Sequence, residues 1–210
     1  MVRLITDSAA DFEPFELEQL NIACIPIKVM LGETEYEENV NLSKDQFFEL
    51  LKETGASPKT SQPSPAILME MYEDAKAAGE EALYITLAAA LSGTYQSASM
   101  ICEDADSELC HVLNSCNATG GQRLQLEYAA RLRDEGKTAA EIMEAVKKIQ
   151  SKIVLYACID TLEYLYRGGR ISQTVYKLGT MAQVKPIIRV AEDGSIEVPA
   201  KAIGMRKGMD

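Results

Sequence analysis

The 210-residue sequence predicts an α/β protein with an N-terminal parallel-sheet domain and a smaller α+β second domain. From Ala82 to Ile159, apolar strand-like runs alternate with helical runs, which is typical of a Rossmann-like sheet covered by helices. Near the end of the chain, Asp193-Gly194 separates two β-rich runs and indicates a hairpin. Because an isolated hairpin is marginally stable in water, either another part of the chain completes this second domain or the sequence is a shortened one. We expect a second domain that is truncated at its C-terminus.

Capping and turn residues set the boundaries of the elements in the first 80 residues. Pro14 and Pro65 suit the first turn of a helix, where a backbone N–H is not needed. Ser43 with Gln46 forms a capping box, and the prolines between residues 58 and 65 hold that segment extended. The predicted elements are strands over residues 2–6, 22–31 and 34–37, and helices over 14–20, 43–53 and 65–79.

The rest of the chain repeats strand and helix and then ends in the hairpin. The predicted strands cover residues 82–88, 111–115, 153–159, 185–191 and 195–203, and the predicted helices cover 94–104, 121–135, 138–151 and 172–181. We expect residues 1–58 and 81–152 to form the α/β domain. Residues 59–80 and 153–210 form the partial second domain, and the ligand cleft lies between the two.

The composition argues against two classes of partner. A formal net charge of −11 disfavours nucleic acid, because binding phosphates needs clustered Lys and Arg. No run approaches the roughly 20 apolar residues that cross a bilayer, so no transmembrane segment is expected. The five cysteines lack CxxC spacing and favour free thiols over a disulfide framework. The expected location is therefore the cytoplasm.

Hydroxyl-rich loops recur where predicted strands end. Loops 7–11, 90–94 and 116–122 each follow a strand and precede a helix, which is where open parallel sheets hold their ligands. The free N–H groups of helix N-termini favour a carboxylate or a phosphate. The candidate ligand-binding residues on these loops and on the extended segment are Thr60, Ser61, Ser92, Gly93, Thr94 and Ser115. Each hydroxyl taken alone fits a helix cap or a turn equally well.

Catalytic chemistry has little support in the sequence. The single histidine, His111, begins a strand at the opposite end from the loops, so a serine triad lacks its base. The sequence contains no GxSxG, Walker A or GxGxxG motif, and no Cys/His spacing fits a metal site. Asp7 and Asp11 lie near a turn, where aspartate is usually a cap. We therefore expect no catalytic residue, metal or cofactor.

Four short motifs occur in order across nearly the whole chain. They are Ile5-Thr6-Asp7-Ser8-Ala9, Thr60-Ser61-Gln62-Pro63-Ser64, Leu91-Ser92-Gly93-Thr94-Tyr95-Gln96-Ser97-Ala98 and Arg167-Gly168-Gly169-Arg170-Ile171. Together they resemble the DegV family of bacterial fatty-acid-binding proteins. The resemblance implies a two-domain α/β protein that buries an acyl chain between its domains.

The resemblance also implies roles for single residues. Thr60 and Ser92 match the family positions that hydrogen-bond the carboxylate of the fatty acid. Arg167 and Arg170 match arginines near the head-group opening, which would face a phosphate or a partner. Some family members carry acyl chains for fatty acid kinase, so the implied partners are a long-chain fatty acid and a fatty acid kinase subunit. The supporting neighbours in the cleft are Ser61, Gly93 and Thr94.

Two other functions remain as alternatives to fatty-acid binding. A phosphoryl-transfer enzyme or phosphocarrier of the dihydroxyacetone-kinase-like class has a related fold, but it relies on a reactive histidine, and only His111 is available. A protein-interaction domain with an acidic surface would bind a basic partner with strong salt dependence.

The energetics of fatty-acid binding favour the apolar tail as the main source of affinity. Burying about 15 methylenes at roughly 0.8 kcal/mol each supplies on the order of 12 kcal/mol before association costs.

Overall fold

The computed structural model describes residues 1–105, 108–179 and 184–204. Its strands are β1 (Val2–Asp7), β2 (Ile22–Ile25), β3 (Lys28–Leu31), β4 (Thr34–Glu37), β5 (Lys59–Ser61), β6 (Glu81–Thr86), β7 (Cys110–Asn114), β8 (Leu155–Cys158), β9 (Val184–Val190) and β10 (Ile196–Ile203). Its helices are α1 (Pro14–Leu20), α2 (Lys44–Thr54), α3 (Pro65–Ala77), α4 (Thr94–Asp104), α5 (Thr119–Asp134), α6 (Ala139–Gln150), α7 (Glu163–Arg167) and α8 (Gln173–Gly179), with a short 3-10 helix at Ser8–Ala10. Within these described residues, no helix combines the length and apolar character needed to span a bilayer.

The central sheet consists of four parallel strands in the order β2-β1-β6-β7. Leu4 in β1 pairs with Ile22 on one side and with Leu83 on the other. Because side chains alternate between the faces of a strand, Leu4 and Leu83 enter one core cluster while Ile5 and Tyr84 enter another. The predicted parallel sheet is confirmed, and the ends of β1, β6 and β7 meet at its carboxyl edge.

Helices cover both faces of this sheet. Leu126 of α5 and Ile142 of α6 are fully buried on one face, and Leu68 of α3 and Ala98 of α4 are buried on the other. Each large aliphatic side chain buried in this way contributes about 1.5–3 kcal/mol. The sequence grouped residues 65–77 with the second domain, but the apolar face of α3 packs on β6 and places this helix with the central sheet.

A small antiparallel sheet with the order β4-β3-β5 lies beside the central one. Its core forms around Val29 and Leu31, against which α2 packs. The prediction of a single strand over residues 22–31 was wrong. Pro26 has no N–H to continue the ladder, so β2 ends in the parallel sheet and β3 begins the small one.

A second antiparallel sheet has the order β10-β9-β8. The hairpin predicted at Asp193-Gly194 is confirmed as the β9–β10 pair. The strand predicted over residues 153–159 appears as β8 and pairs antiparallel with β9, so it gives the hairpin a third strand. Around Leu162 and Ile188 this sheet has its own core. Of the helix predicted over residues 172–181, the last two residues lie outside the described part of the chain.

The tip of this hairpin touches the carboxyl edge of the central sheet. Gly194 is buried in its turn and has a φ of 85°. A Cβ atom added there would lie 2.6 Å from the Cβ of Ala88 and 3.3 Å from the backbone of Cys116. The close approach therefore needs glycine both for its backbone conformation and for its lack of a side chain.

Candidate ligand-binding cleft

One large cleft brings together most of the predicted site residues. It has a volume of about 960 Å³ and is lined by three stretches of chain, within residues 57–65, 87–94 and 164–170, together with Ile27. The predicted site residues that line it are Thr60, Ser61, Ser92, Gly93, Thr94, Arg167 and Arg170. The cleft opens beside the carboxyl edge of the parallel sheet, because the 87–94 segment directly follows β6.

The first wall of the cleft is the strand β5 and the residues around it. Thr60 pairs with Val29 in an antiparallel ladder, which fixes the position of this exposed segment on the small sheet. After the strand, Pro63 is buried and Pro65 occupies the first turn of α3. Prolines restrict both their own backbone and that of the preceding residue, so the wall is held at both ends.

The second wall is the loop that leads from β6 into α4. The Ser92 and Thr94 hydroxyl oxygens lie 2.8 Å apart, and the Thr94 N–H donates to Ser92 Oγ at 3.3 Å. Gly93 occupies the N-cap position and has no side chain to accept a hydrogen bond. Two hydroxyls therefore stand together at the N-terminus of α4, where the helix dipole favours an anionic group.

The third wall is α7 and the turn after it. Arg170 Nε donates to the Leu91 carbonyl at 2.9 Å and so connects this wall to the second one. Arg167 pairs with Glu163 at 2.5 Å on the same helix, and both arginines are exposed. With Lys59, the charged side chains lining the cleft are all cationic, although the chain as a whole carries a net charge of −11. An anion would meet favourable electrostatics here.

Apolar side chains complete the lining of the cleft. They are Ile27, Pro58, Pro63, Leu87, Leu91 and Leu165. Such a mixture of clustered hydroxyls, cations and aliphatic groups suits a ligand with a small anionic head and an apolar body.

Ser115 and His111 lie away from this cleft. The buried Ser115 hydroxyl donates to the Asn117 carbonyl at 2.9 Å and accepts the Asn117 N–H at 3.1 Å. The side chain turns inward to its own loop and does not line this cleft, and its place among the ligand-binding residues stays a prediction. His111 lies near the start of β7, with Nε2 3.3 Å from Glu81 Oε1.

Asp7 accepts a hydrogen bond from the start of the second wall, and the sequence did not indicate this role. The carboxylate is fully buried and accepts hydrogen bonds from the Leu87 N–H at 2.9 Å, the Tyr84 hydroxyl at 3.2 Å and the Gln122 amide at 3.2 Å. Burial raises the pKa of Asp7 to about 6, although these hydrogen bonds oppose the shift. Among the described residues, no group of three or more His, Cys, Asp or Glu could hold a metal ion.

Gln62 is the second residue that sequence reasoning missed. It follows β5 and reaches the start of α4, where the Ser97 hydroxyl donates to Gln62 Oε1 at 2.6 Å. The motif containing Thr60 includes this glutamine, but only the folded chain shows which helix it contacts.

Comparison with known proteins places the chain among a large set of relatives. The family model described as "Uncharacterised protein, DegV family" matches residues 1–210. A DegV domain-containing protein of Caldanaerobacter subterraneus subsp. tengcongensis is 33% identical over 208 residues, which cover 99% of this chain and 74% of that protein.

Solved structures with the same fold include proteins described as fatty-acid-binding. DegV of Bacillus subtilis, described as a fatty acid binding protein, matches with a TM-score of 0.85 and 29% identity over 99% of this chain and 74% of its own. A stearic-acid-binding protein of Eubacterium ventriosum matches with a TM-score of 0.88 and 25% identity over 99% of this chain and 72% of its own.

Proposed function

Because the chain belongs to the DegV family, we propose that it is a non-catalytic protein that binds a long-chain fatty acid in the cleft described above. The observation that carries the proposal is that two separate hydroxyl loops, around Thr60 and Ser92, line one cleft with apolar and cationic neighbours. Solved relatives of the same fold are described as binding fatty acids, which supports the assignment of ligand class.

The carboxylate is held by Thr60 and Ser92 in this proposal. Each of the two hydroxyls can donate a hydrogen bond to a carboxylate without giving up its proton. Ser92 lies beside Thr94 at the N-terminus of α4. A carboxylate left without partners on burial would cost several kcal/mol. The hydroxyls therefore prevent an unpaired head group and fix its orientation, while Ser61 and Gly93 shape the space around it.

The acyl tail runs between the parallel-sheet part of the chain and the segment that carries α7 and the β10-β9-β8 sheet. Its burial supplies most of the affinity, since each methylene removed from water contributes about 0.8 kcal/mol. We propose the division into residues 1–58 with 81–152 and residues 59–80 with 153–210, with one change. Strand β5 pairs with β3 and α3 packs on the central sheet, so we assign both to the first domain.

Arg167 and Arg170 stand at the opening and would present the head group to a fatty acid kinase subunit. Both are exposed, so an approaching protein or the phosphate it transfers can compete for them with Glu163 and the Leu91 carbonyl. Within the described residues no disulfide joins the cysteines, which fits a cytoplasmic setting for this role.

Fatty-acid binding predicts that the purified protein releases a long-chain fatty acid when it is denatured and extracted with organic solvent. Mass spectrometry of the extract checks this and identifies the acyl chain. Protein that yields no lipid, and that also fails to take up oleate or stearate after delipidation, would count decisively against the proposal.

Substituting Thr60→Val with Ser92→Ala should weaken binding of the acid by about 100-fold or more, since each of the two lost hydrogen bonds to a charged group costs about 1.5–3 kcal/mol. Binding of the matching methyl ester, titrated in parallel, should change by less than about threefold. The control pair Thr174→Val with Ser99→Ala makes the same chemical changes at residues that do not line the cleft. Equal losses for acid and ester would refute the carboxylate role.

A further inference from the structure

We propose that Gln62 is a positioning residue that joins the two hydroxyl loops into one carboxylate-selective clamp. The inference rests on the proposed fatty-acid function and adds a specificity-determining residue to it. Thr60 and Ser92 belong to elements far apart in sequence, and each loop is held by its own support. A side chain that spans the two loops fixes the distance between their hydroxyls.

Two contacts make Gln62 such a connection. The Ser97 hydroxyl in the first turn of α4 donates to Gln62 Oε1 at 2.6 Å. The amide of Gln62 also fills the space beside Gly93, where an added Cβ would clash with Nε2 and lie 3.3 Å from Cδ. The φ of Gly93 is −72°, a value that any residue adopts, so the backbone conformation does not require glycine here. Glycine is needed because a side chain would occupy the space that the Gln62 amide fills.

The chain around Gln62 is stiff enough to transmit this contact. On one side Ser61 is paired with Lys28 in the β3–β5 ladder, and on the other Pro63 is buried. Pro63, Thr94, Ser97 and Gln62 also line one small cavity together with Tyr84, so the segment around Gln62 and the start of α4 are neighbours. The hydrogen bond that Gln62 accepts from Ser97 of α4 therefore sets the position of Thr60 relative to Ser92, and not only that of the Gln62 side chain.

The consequence is selectivity for a charged head group. An acyl chain packs against apolar walls whether or not the hydroxyls are aligned, whereas a carboxylate gains from two donors only when both point at it. Loss of the connection should lower the preference for an acid over its neutral ester and leave the affinity for the ester nearly unchanged.

The test compares the ratio of ester Kd to acid Kd in matched variants. Gln62→Met keeps the length of the side chain but removes the acceptor, and it should lower the ratio about fivefold, equivalent to about 1 kcal/mol. Ser97→Ala should lower the ratio by the same factor, and the double variant Gln62→Met with Ser97→Ala should lower it no further. Ser97→Thr keeps a hydroxyl at this position and should therefore retain the wild-type ratio. Gly93→Ala reaches the same state by displacing the amide. Gln96→Met, an exposed glutamine beside Ser97 that does not line the cleft, is the control.

Hydrogen exchange gives a second readout of the same connection. In Gln62→Met, amides of both β5 and the start of α4 should exchange faster, whereas a local packing role would affect only one of them. An unchanged ratio in Gln62→Met, with tight acid binding retained, would overturn the positioning role and leave fatty-acid binding intact. Wild-type protein that binds neither acid nor ester would overturn the proposed function itself, and with it the selectivity assigned to Gln62.

Discussion

Gly194→Ala is expected to lower the free energy of unfolding by about 2–4 kcal/mol, because two separate penalties add at this position. The first is backbone strain, since the φ of 85° is rarely adopted by residues with a side chain. The second is a steric clash, because the new Cβ would lie 2.6 Å from the Cβ of Ala88 at the edge of the central sheet. Both atoms are rigidly placed, so the hairpin itself must move.

Gly32→Ala separates these two penalties. Gly32 also lies in a hairpin turn with a φ of 63°, but a Cβ there would meet nothing within 4 Å. Its substitution should therefore cost only the strain, about 1 kcal/mol. Urea unfolding of the two variants measures the difference, and equal losses would show that the tip of the β9–β10 hairpin is not closely packed on the sheet.

Gly194→Ala should also loosen the cleft. Helix α7, which carries the third wall, shares its core with the β10-β9-β8 sheet through Leu162 and Ile188. When the tip of the hairpin moves away from Ala88, that wall loses one of its attachments to the central sheet. We expect faster hydrogen exchange in α7 and weaker fatty-acid binding than in Gly32→Ala.

The second large effect is expected from Asp7→Asn, as a change in the pH dependence of stability. The pKa of Asp7 is raised from 3.8 to about 6 by burial, so the folded state holds this proton more tightly than the unfolded state. The stability that the protonated Asp7 carboxyl contributes to the folded state is fully present below about pH 4. It is lost as the pH rises through about 6. A shift of this size corresponds to on the order of 3 kcal/mol.

Wild-type protein should therefore lose stability between pH 4 and pH 7 relative to Asp7→Asn, whose side chain carries no charge at any pH. The asparagine oxygen can still accept the Leu87 N–H. Gln122 Oε1, which is buried without a partner among the described residues, can accept the new amide N–H if that side chain rotates. Denaturant unfolding across this pH range measures the difference, with exposed Asp45→Asn as the control. Parallel curves for wild type and Asp7→Asn would contradict the prediction.

Much of the fold follows from local pattern. The strand–helix alternation, the capping boxes and the Asp193-Gly194 turn are all properties of short segments, and they appear where the sequence indicates. The run over residues 22–31 failed as one strand because β-branched residues indicate extended chain without indicating which sheet it joins. Pro26 marked the division, and its missing N–H was the available signal.

The sequence indicated many of the residues that line the cleft, but not the hydrogen bonds that hold its walls together. Ser92 and Thr94 reach the cleft because they follow a strand of the parallel sheet, as expected. Thr60 reaches it from the antiparallel strand β5, and the two arginines reach it from α7 and the turn after it. Ser115 also follows a strand of the parallel sheet, but whether a serine faces the cleft or its own loop depends on one side-chain rotation that the sequence pattern does not encode. The roles of Asp7 and Gln62 depend on partners 80 and 35 positions away in the chain, at Leu87 and Ser97.

The three walls of the cleft come from stretches of chain that meet only in the folded protein. A ligand that needs all of them binds the native state and has no comparable site on the unfolded chain. Mass action then adds its binding free energy to that of folding, about 2.7 kcal/mol at a free ligand concentration 100 times Kd. If the chain binds a fatty acid as proposed, its melting temperature and its resistance to proteolysis should rise and fall with the supply of that ligand.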